Sequence, residues 1–430
     1  MVNERLELTR LYWRCGFGPL PGQFAASLKS NFEVEKARLI SPQDADIYVS
    51  EITTPDFSDM GDKPAAGTFE ATAYSIKQRE QNLGLPIWWM DRASLVDHGL
   101  REKLAWFWMG HWATSIEKIN FARPMFLQYN TLYSMALGNF DEMVHAMFDD
   151  GALQFWLDGQ ENIATAPNEN LSREMMELFT LGVGNYTEND VQQLARAFTG
   201  YRVNRSSGEV TFAPKRHATG SVSLLGKTIP SDAHGSLDVI LSQPAVNQFI
   251  SRRLWFRLIN SETTAPSGLV NKFPQHEITQ LIAGITSSQY LSDPKNSMVK
   301  SPVEWLVGIM RSLTLAPSQL KKSEVLVRYM KNLGQVPFAP PNVGGWPTNT
   351  AWLSPASAQF RLSISSTVIN QADLSFLNQI APKSRVEFLL NHLGVYEWSD
   401  RTESALYAAR ADVKRLYLLA VNSPEYVVSA

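Results

Sequence analysis

Apolar residues recur at helical spacing along most of this chain, and this periodicity limits the fold more than any other feature. Two helix starts are signalled by capping residues. Thr187 lies three residues before Asp190, and Ser301 lies three residues before Glu304. A Ser or Thr with an acidic residue three positions later predicts an N-cap and a side chain that reaches back to it. The sequence therefore predicts a mainly α-helical fold.

The periodic segments predict a large multi-helix array. We expect one large α-helical domain over residues 1–430, with C-terminal helices over 383–430 and a breaker-rich surface loop at 41–68. The predicted helices cover about 6–14, 69–83, 86–97, 99–115, 120–137, 139–149, 169–182, 187–201, 235–243, 244–260, 275–289, 302–314, 320–333, 355–369, 383–393 and 402–422.

The segment 201–230 has a different, β-like pattern. Two short runs of strand-forming residues, 209–213 and 221–225, flank the polar loop 214–220. Two such runs around a polar loop are typical of a β-hairpin. We therefore predict a small β-hairpin insertion between helices.

Composition and charge exclude several classes of partner and site. A formal net charge of −3 over 430 residues gives no basic surface for nucleic acid. Cys15 is the single cysteine, so an intramolecular disulfide and a cysteine-based zinc site are excluded. No segment approaches the ~18 consecutive apolar residues that a membrane-spanning helix needs.

The first ten residues carry no long apolar stretch, so no signal peptide is predicted within this sequence. We expect a cytoplasmic protein by default. An exported mature protein is an alternative that the sequence leaves open.

Polar residues concentrate where the helix near residue 170 begins. On a helical period, Arg173 and Glu174 share a face with Glu177. This stripe has two possible interpretations. It is either a buried site or a solvated face with an Arg173–Glu177 ion pair. If Arg173 is buried, we expect it to pair with Glu177 or Asp158, because an unpaired buried charge is costly. The polar residues within seven positions are Asn168, Glu169, Asn170, Arg173 and Glu174.

Two histidines are candidates for a site with these carboxylates. His111 lies among tryptophans in the segment 101–115, and His217 lies in the polar loop of the predicted hairpin. Together with Asp158 and Glu169, they would form a mixed set of ligands for a divalent metal such as zinc, manganese or iron. No pair has local ligand spacing, so the site depends on long-range convergence. The alternatives are a hydrogen-bonded core histidine and a surface histidine.

A long loop at 335–347 contains four prolines and paired glycines. Prolines stiffen a loop, and glycines permit tight turns. We predict that Trp346 packs against the helical body and that the Asn342 side chain satisfies neighbouring backbone groups. The loop would then be a rigid wall of the candidate pocket.

Several motifs of this chain resemble the bacterial domain-of-unknown-function family numbered 1800. They run in family order from about residue 8 to residue 365, so the resemblance covers most of the chain. The matching segments are 14–19, 101–108, 136–140, 157–159, 167–170, 173–184, 195–201, 253–255, 299–304, 340–347 and 351–353, with a similar ending at 423–426.

The resemblance implies a mostly helical bacterial protein without an established activity. Members are often secreted and often encoded beside a sulfatase- or phosphatase-like protein, which is the partner that we expect. Two positions depart from the family pattern. Met109 stands where the family usually has the first histidine of a His-Asn-His motif, and Ala218 follows His217 where the family tends to have aspartate.

Two functional hypotheses follow. The first is a hydrolase-like or metal-dependent enzyme with a His/carboxylate site. Its catalytic candidates are Glu169, Arg173, Glu174, His111 and His217. The second is a non-catalytic accessory or binding module for a partner protein or polysaccharide. The loss of a histidine at Met109 favours the second hypothesis for this chain.

Overall fold

A computed structural model describes residues 4–40, 52–97 and 99–429 of the chain. The fold is mainly α, with small two-stranded antiparallel sheets, which confirms the predicted fold class. Residues 52–68 contain no helix or strand, as predicted, whereas 41–51 of the predicted surface loop lie outside the described residues.

The helices of the first half begin and end largely as the periodicity predicts. The capping box of Thr187 and Asp190 is present at the start of α11, as predicted. A π-helix, Met175–Thr180, continues α10 directly. In chain order the helices are α1 Glu4–Arg14, α2 Gln23–Ser27, α3 Phe32–Ile40, α4 Phe69–Leu95, α5 Leu100–His111, α6 Ile116–Ile119, α7 Ala122–Met135, α8 Phe140–Phe148, α9 Gly151–Trp156, α10 Asn170–Glu174 and α11 Glu188–Ala197.

The second half continues in the same way. The predicted helix 402–422 is wrong, because α21 ends before Asp412, which caps the start of α22. The helices are α12 Ala233–Leu241, α13 Pro244–Leu258, α14 Ile278–Ile285, α15 Ser288–Leu291, α16 Pro302–Ser312, α17 Glu324–Asn332, α18 Pro355–Gln371, α19 Ser375–Asn378, α20 Arg385–His392, α21 Asp400–Ala409, α22 Val413–Val421 and α23 Pro424–Val427. Short 3-10 helices lie at Gly159–Glu161, Pro214–Arg216, Ser267–Lys272, Pro274–His276, Pro317–Gln319, Asn349–Trp352 and Pro382–Ser384.

Helix α4 corrects a predicted break. The sequence predicts two helices, 69–83 and 86–97, because proline disfavours a helix interior. The structure has one helix that continues through Pro86. Pro86 itself is buried, and Trp88 and Trp89 in the next turn are 3% and 0% exposed. Packing of this aromatic turn therefore outweighs the local preference for a break.

The segment 201–230 forms two hairpins where one was predicted. β1 Tyr201–Val203 pairs with β2 Val210–Phe212, and β3 Ser221–Leu224 pairs with β4 Lys227–Pro230. Leu225 and Gly226, which join β3 to β4, have φ of 50° and 79°. A two-residue turn with positive φ at both positions suits the twist of a hairpin. Each strand therefore pairs with its neighbour in sequence. A further pair, β5 Met298–Val299 with β6 Val428–Ser429, joins distant segments.

Helices α5 and α16 lie deepest in the structure. Nearly every residue of Leu100–His111 and of Pro302–Ser312 is buried, polar residues included. The predicted helix 99–115 ends early, at His111, and Ser115 then caps the short helix α6. The capping box of Ser301 and Glu304 sets the start of α16, as predicted. These two helices therefore place their few charged residues inside the protein.

Candidate functional site

The predicted polar stripe on α10 is a surface ion network. Arg173 donates from Nη1 and Nη2 to the two carboxylate oxygens of Glu188, at 2.8 and 2.7 Å, and Nη2 also contacts Glu169 at 3.0 Å. The predicted ion pair of Arg173 with Glu177 is therefore wrong, and the pairing predicted for a buried Arg173 does not apply, because its side chain is partly exposed. The Arg173 side chain is 33% exposed. At that exposure the charge of Arg173 stays in contact with solvent. The stripe therefore fits the interpretation as a solvated face better than that as a buried site.

The remaining residues of the stripe have separate partners. Tyr186 donates its hydroxyl hydrogen to Glu177 at 2.9 Å. Asp158 has a φ of 59° and accepts from Lys118 at 2.7 Å. Glu174 is partly buried, and burial, with the nearby charge of Glu177, raises the pKa of its carboxyl group. The carboxyl group of Glu174 therefore binds a proton more readily than that of an ordinary glutamate.

His111 lies in an aromatic cage. Its Nε2–H donates to the Phe179 carbonyl at 3.0 Å, and the rings of Trp108 and Trp112 meet it edge-on at 5.4 and 5.3 Å. Burial lowers the pKa of His111 well below its ordinary value, and the charge of Arg253 lowers it further. His111 is therefore a neutral core histidine. Met109 beside it is 6% exposed.

His217 has a different environment from His111. Its two ring nitrogens lie 2.8 Å from the carbonyl oxygens of Thr199 and Ser231. Ala218 is buried, and its N–H donates to the Thr199 hydroxyl. Within the part of the chain that the structure describes, no group of three or more His, Cys, Asp or Glu side chains is placed to hold a metal ion. The structure thus brings Glu169, Arg173 and Glu174 together, and it does not bring His111 and His217 to them as one metal site.

A cavity of about 60 Å³ lies where three of the sequence motifs meet. One wall is a single face of α5, formed by Lys103, Trp106, Phe107 and Gly110 at helical spacing. The other walls come from distant parts of the chain. They are Arg257 and Leu258 of α13, Met298 and Val299 of β5, Ser301 and Glu304 at the start of α16, Gln335, Trp346 and Pro347 of the long loop, and Thr348, Asn349 and Trp352 directly after it.

Tryptophans hold the long loop against α5. Trp346 is 5% exposed and stacks on Trp106, with ring centroids 4.5 Å apart and planes at 28°. Trp106 in turn stacks on Trp89 at 4.7 Å. The packing predicted for Trp346 is therefore observed. The Asn342 side chain accepts from the Gly344 N–H at 2.9 Å, also as predicted.

The backbone of the loop also touches α5 directly. Gly345 has a φ of +86°, and a Cβ atom there would lie 2.5 Å from the Gly110 carbonyl oxygen. Only glycine adopts this conformation easily and permits this approach. Farther back, Ile116 donates its N–H to the Phe338 carbonyl at 2.8 Å. These contacts fix the loop as a wall of the cavity.

A buried ion pair forms one end of the cavity. Lys103 donates to Glu304, and its side chain is 5% exposed. Burial acts to raise the pKa of Glu304, but the charge and hydrogen bond of Lys103, with the hydrogen bonds of Ser301, lower it overall. Glu304 is therefore an ionised carboxylate at neutral pH.

Arg257 faces the same cavity from α13. Its Nη2 donates to the Trp346 carbonyl at 3.0 Å. Burial lowers the pKa of Arg257 to about 10, and the charge of Arg253 one turn earlier contributes. The guanidinium nevertheless stays charged at neutral pH.

Sequence reasoning did not place Lys103, Arg257 and Glu304 in a site. Lys103 and Glu304 are 201 positions apart, and Glu304 was assigned only a capping role. One signal was present in the sequence, because three of the segments that resemble the family, 101–108, 299–304 and 340–347, supply half of the residues that line the cavity.

A comparison with protein families matches nearly the whole chain. The family described as "Protein of unknown function (DUF1800)" matches residues 10–428, which is nearly the whole chain. Neither a curated protein nor a solved structure matches the sequence. Within the described ranges, none of the helices is both long and apolar enough to cross a membrane.

Proposed function

We propose that the chain, which belongs to the DUF1800 family, is a binding module whose site is the cavity between α5, α13, α16 and the long loop. The observation that carries this proposal is the stacked pair Trp106–Trp346, which holds a preformed wall beside the charged groups Lys103 and Arg257. Small-molecule sites are typically concave, largely preformed and lined by aromatic groups with a few placed polar ones. The cavity has these properties.

Binding fits the predicted catalytic groups better than hydrolysis does. Both ring nitrogens of His217 face carbonyl oxygens, and Nε2 of His111 does the same. Arg173 and Glu169 are held in one ion network. A catalytic acid or base must reach the proton that it transfers, and these groups have protein partners, apart from Nδ1 of His111, which is buried with no partner among the described residues.

The expected ligand is one small group of a larger molecule. The cavity volume of about 60 Å³ is small for a ligand pocket, so we expect a single chemical group to enter it rather than a whole saccharide. A side chain of a partner protein or a substituent of a polysaccharide would enter, while the rest of the ligand stays outside. A sulfatase- or phosphatase-like partner is the prediction that the family resemblance adds.

The hydrolase-like alternative keeps one supporting observation, the raised pKa of Glu174 beside Glu177. If this alternative is correct, the purified protein hydrolyses a glycoside or ester substrate, and Glu174→Gln abolishes that activity. If the metal-dependent form of it is correct, elemental analysis finds a transition metal at about one equivalent. Activity or metal of this kind would contradict the binding module as the main function.

A ligand screen tests the binding proposal. A ligand that binds only the folded protein raises its melting temperature with concentration. Trp346→Phe, which shortens the cavity wall, should weaken that shift. Trp398→Phe is the matched control, because Trp398 is a partly buried tryptophan that does not line this cavity. Equal weakening by both variants, or shifts that Trp346→Phe leaves intact, would contradict the proposed site.

A further inference from the structure

The charges that line the cavity do not balance. Lys103 and Arg257 are cationic, and Glu304 is the one carboxylate among the described lining residues. Three more basic side chains, Arg14, Lys300 and Arg361, are 7%, 4% and 4% exposed, and burial lowers the pKa of the Lys300 amine well below its ordinary value. Glu304 is in electrostatic contact with Arg14 and Lys300 as well as with Lys103. One carboxylate therefore faces several buried cations.

Glu304 is also fully committed. Its Oε1 accepts from Lys103, and its Oε2 accepts from the Ser301 N–H at 2.9 Å. The second bond belongs to the capping box that starts α16. Glu304 cannot turn toward Arg257 without breaking either the ion pair or the helix cap. Arg257 forms no ion pair of its own among the described residues, and it shares the charge of Glu304 with the other basic groups.

Two buried arginines of this chain are satisfied by backbone carbonyl groups. Arg311 donates to the carbonyl oxygens of Gly18, Ala93 and Val96, at 3.0, 3.1 and 2.6 Å. Arg385 likewise donates to three different backbone carbonyls, those of Leu377, Ile380 and Arg410. These guanidinium groups are enclosed by acceptors and serve to hold the fold together.

Arg257 contrasts with these arginines. A guanidinium carries five N–H donors, and for Arg257 one protein acceptor, the Trp346 carbonyl, is found in the described part of the chain. Arg257 is partly buried and lines the cavity, so its other donors are open to a ligand or to water. Nε1 of Trp346, another lining residue, is likewise buried without a hydrogen-bond partner among the described residues. This arrangement supplies donors and positive charge for an acceptor from outside.

We infer that the cavity binds an oxyanion, a carboxylate or phosphate group, through the planar fork of Arg257. The inference rests on the proposed binding function and names the chemical class of its ligand. Guanidinium and carboxylate or phosphate match geometrically, with two parallel charge-assisted hydrogen bonds. An oxyanion also supplies the missing counter-charge, and its few heavy atoms suit a cavity of this size.

The experiment measures binding of sodium phosphate and of sodium acetate by calorimetry and by the shift in melting temperature. Sodium chloride at equal ionic strength is the reference, because phosphate also stabilises proteins by exclusion from their surface. A galacturonate trisaccharide tests whether the carboxylate comes on a carbohydrate rather than as a free ion. The variants are Arg257→Ala and Arg257→Lys. Arg252→Ala is the matched control, since Arg252 is the exposed arginine of the same helix and lies outside this cavity.

We expect saturable binding of at least one of these anions by the wild type and by Arg252→Ala. Arg257→Lys keeps the charge but loses the fork, and it should bind at least about tenfold more weakly, the loss of one charged hydrogen bond. Arg257→Ala should give no saturable binding. If Arg257→Ala does not fold, Arg257→Lys alone decides.

The inference is overturned if no anion binds saturably, or if Arg257→Lys binds as the wild type does. The proposed function fails separately. If neutral saccharides bind and Trp346→Phe weakens them while anions do not bind, the cavity is a binding site but not for an oxyanion. If neither class of compound binds, both proposals fall.

Discussion

The polar stripe around Arg173 and the cavity around Arg257 are both rich in charged residues. They differ in how far each positive charge is balanced by carboxylates. Arg173 lies between two carboxylates, and the Glu188 side chain opposite it is 70% exposed. Arg257 lies in a cavity whose carboxylate is already taken by Lys103. The stripe has the higher density of polar residues in the sequence. The cavity has the unbalanced charge, which is the better mark of a binding site.

The two regions also differ in what a charged pair contributes to stability. Exposed ion pairs typically contribute about 0.2–1 kcal/mol, because solvent screens them. Removal of one partner from a buried pair costs roughly 3–5 kcal/mol, because the other charge is stranded. Mutations that remove a charge in each region can therefore test this difference.

The largest expected effect is that of Glu304→Gln. This substitution keeps the shape of the side chain and leaves Lys103 buried without a counter-charge, so we expect a loss of roughly 3–5 kcal/mol in the free energy of unfolding. Arg173→Ala, in the stripe, should cost about 0.2–1 kcal/mol. Urea denaturation of both variants measures the difference. Similar losses in the two would remove the distinction between the regions.

A smaller effect is expected from two glycines. Gly345 in the cavity wall and Gly184 near the stripe have φ of +86° and +88°. A Cβ atom at Gly345 would meet the Gly110 carbonyl at 2.5 Å, whereas a Cβ atom at Gly184 has no atom within 4 Å. Both alanine variants carry the cost of a left-handed conformation, about 1–2 kcal/mol. Gly345→Ala should cost roughly 1–3 kcal/mol more, the cost of overpacking. Equal melting temperatures would show that the loop is not held against α5.

The smallest expected effect is on the pH dependence of stability, which has opposite directions for Glu304 and Glu174. The folded pKa of Glu304 is below its ordinary value of 4.5, so its contribution to stability is present above pH 4.5 and is lost as the pH falls through the folded pKa. The folded pKa of Glu174 is raised above 4.5, so its contribution is present below pH 4.5 and is lost as the pH rises through the folded pKa.

Variants separate these two contributions. As the pH falls below 4.5, the destabilisation caused by Glu304→Gln should shrink. As the pH rises above 4.5, Glu174→Gln should become more stable relative to the wild type. Denaturation series at several pH values measure both differences. The same sign for both variants would contradict the assigned environments.

The sequence predicted correctly those features that depend only on neighbouring residues. The capping boxes of Thr187 with Asp190 and of Ser301 with Glu304 formed as predicted, because each needs only residues three apart. The continuous helix through Pro86 was missed, since packing of its aromatic turn depends on the rest of the protein. The hairpin pairing was missed because the positive φ of Leu225 does not follow from its residue type.

The candidate site was predicted less well than the fold. The sequence shows which residues are polar, but it does not show which of them lose contact with water. Arg173 and Arg257 have similar surroundings in the sequence, since each lies in a helix rich in apolar residues. In the structure, however, Arg173 pairs with Glu188, whereas Arg257 lines a cavity. Trp346 was predicted correctly as an anchor, because a large aromatic ring in a proline-rich loop usually packs.

A crystal structure of the protein soaked in sodium phosphate tests the central claim most directly. We predict electron density for a tetrahedral ion within hydrogen-bond distance of the Arg257 guanidinium, with the Trp106–Trp346 stack and the Lys103–Glu304 pair unchanged. Density for the ion beside Arg173 instead, or an Arg257 guanidinium enclosed by protein acceptors alone, would contradict the account.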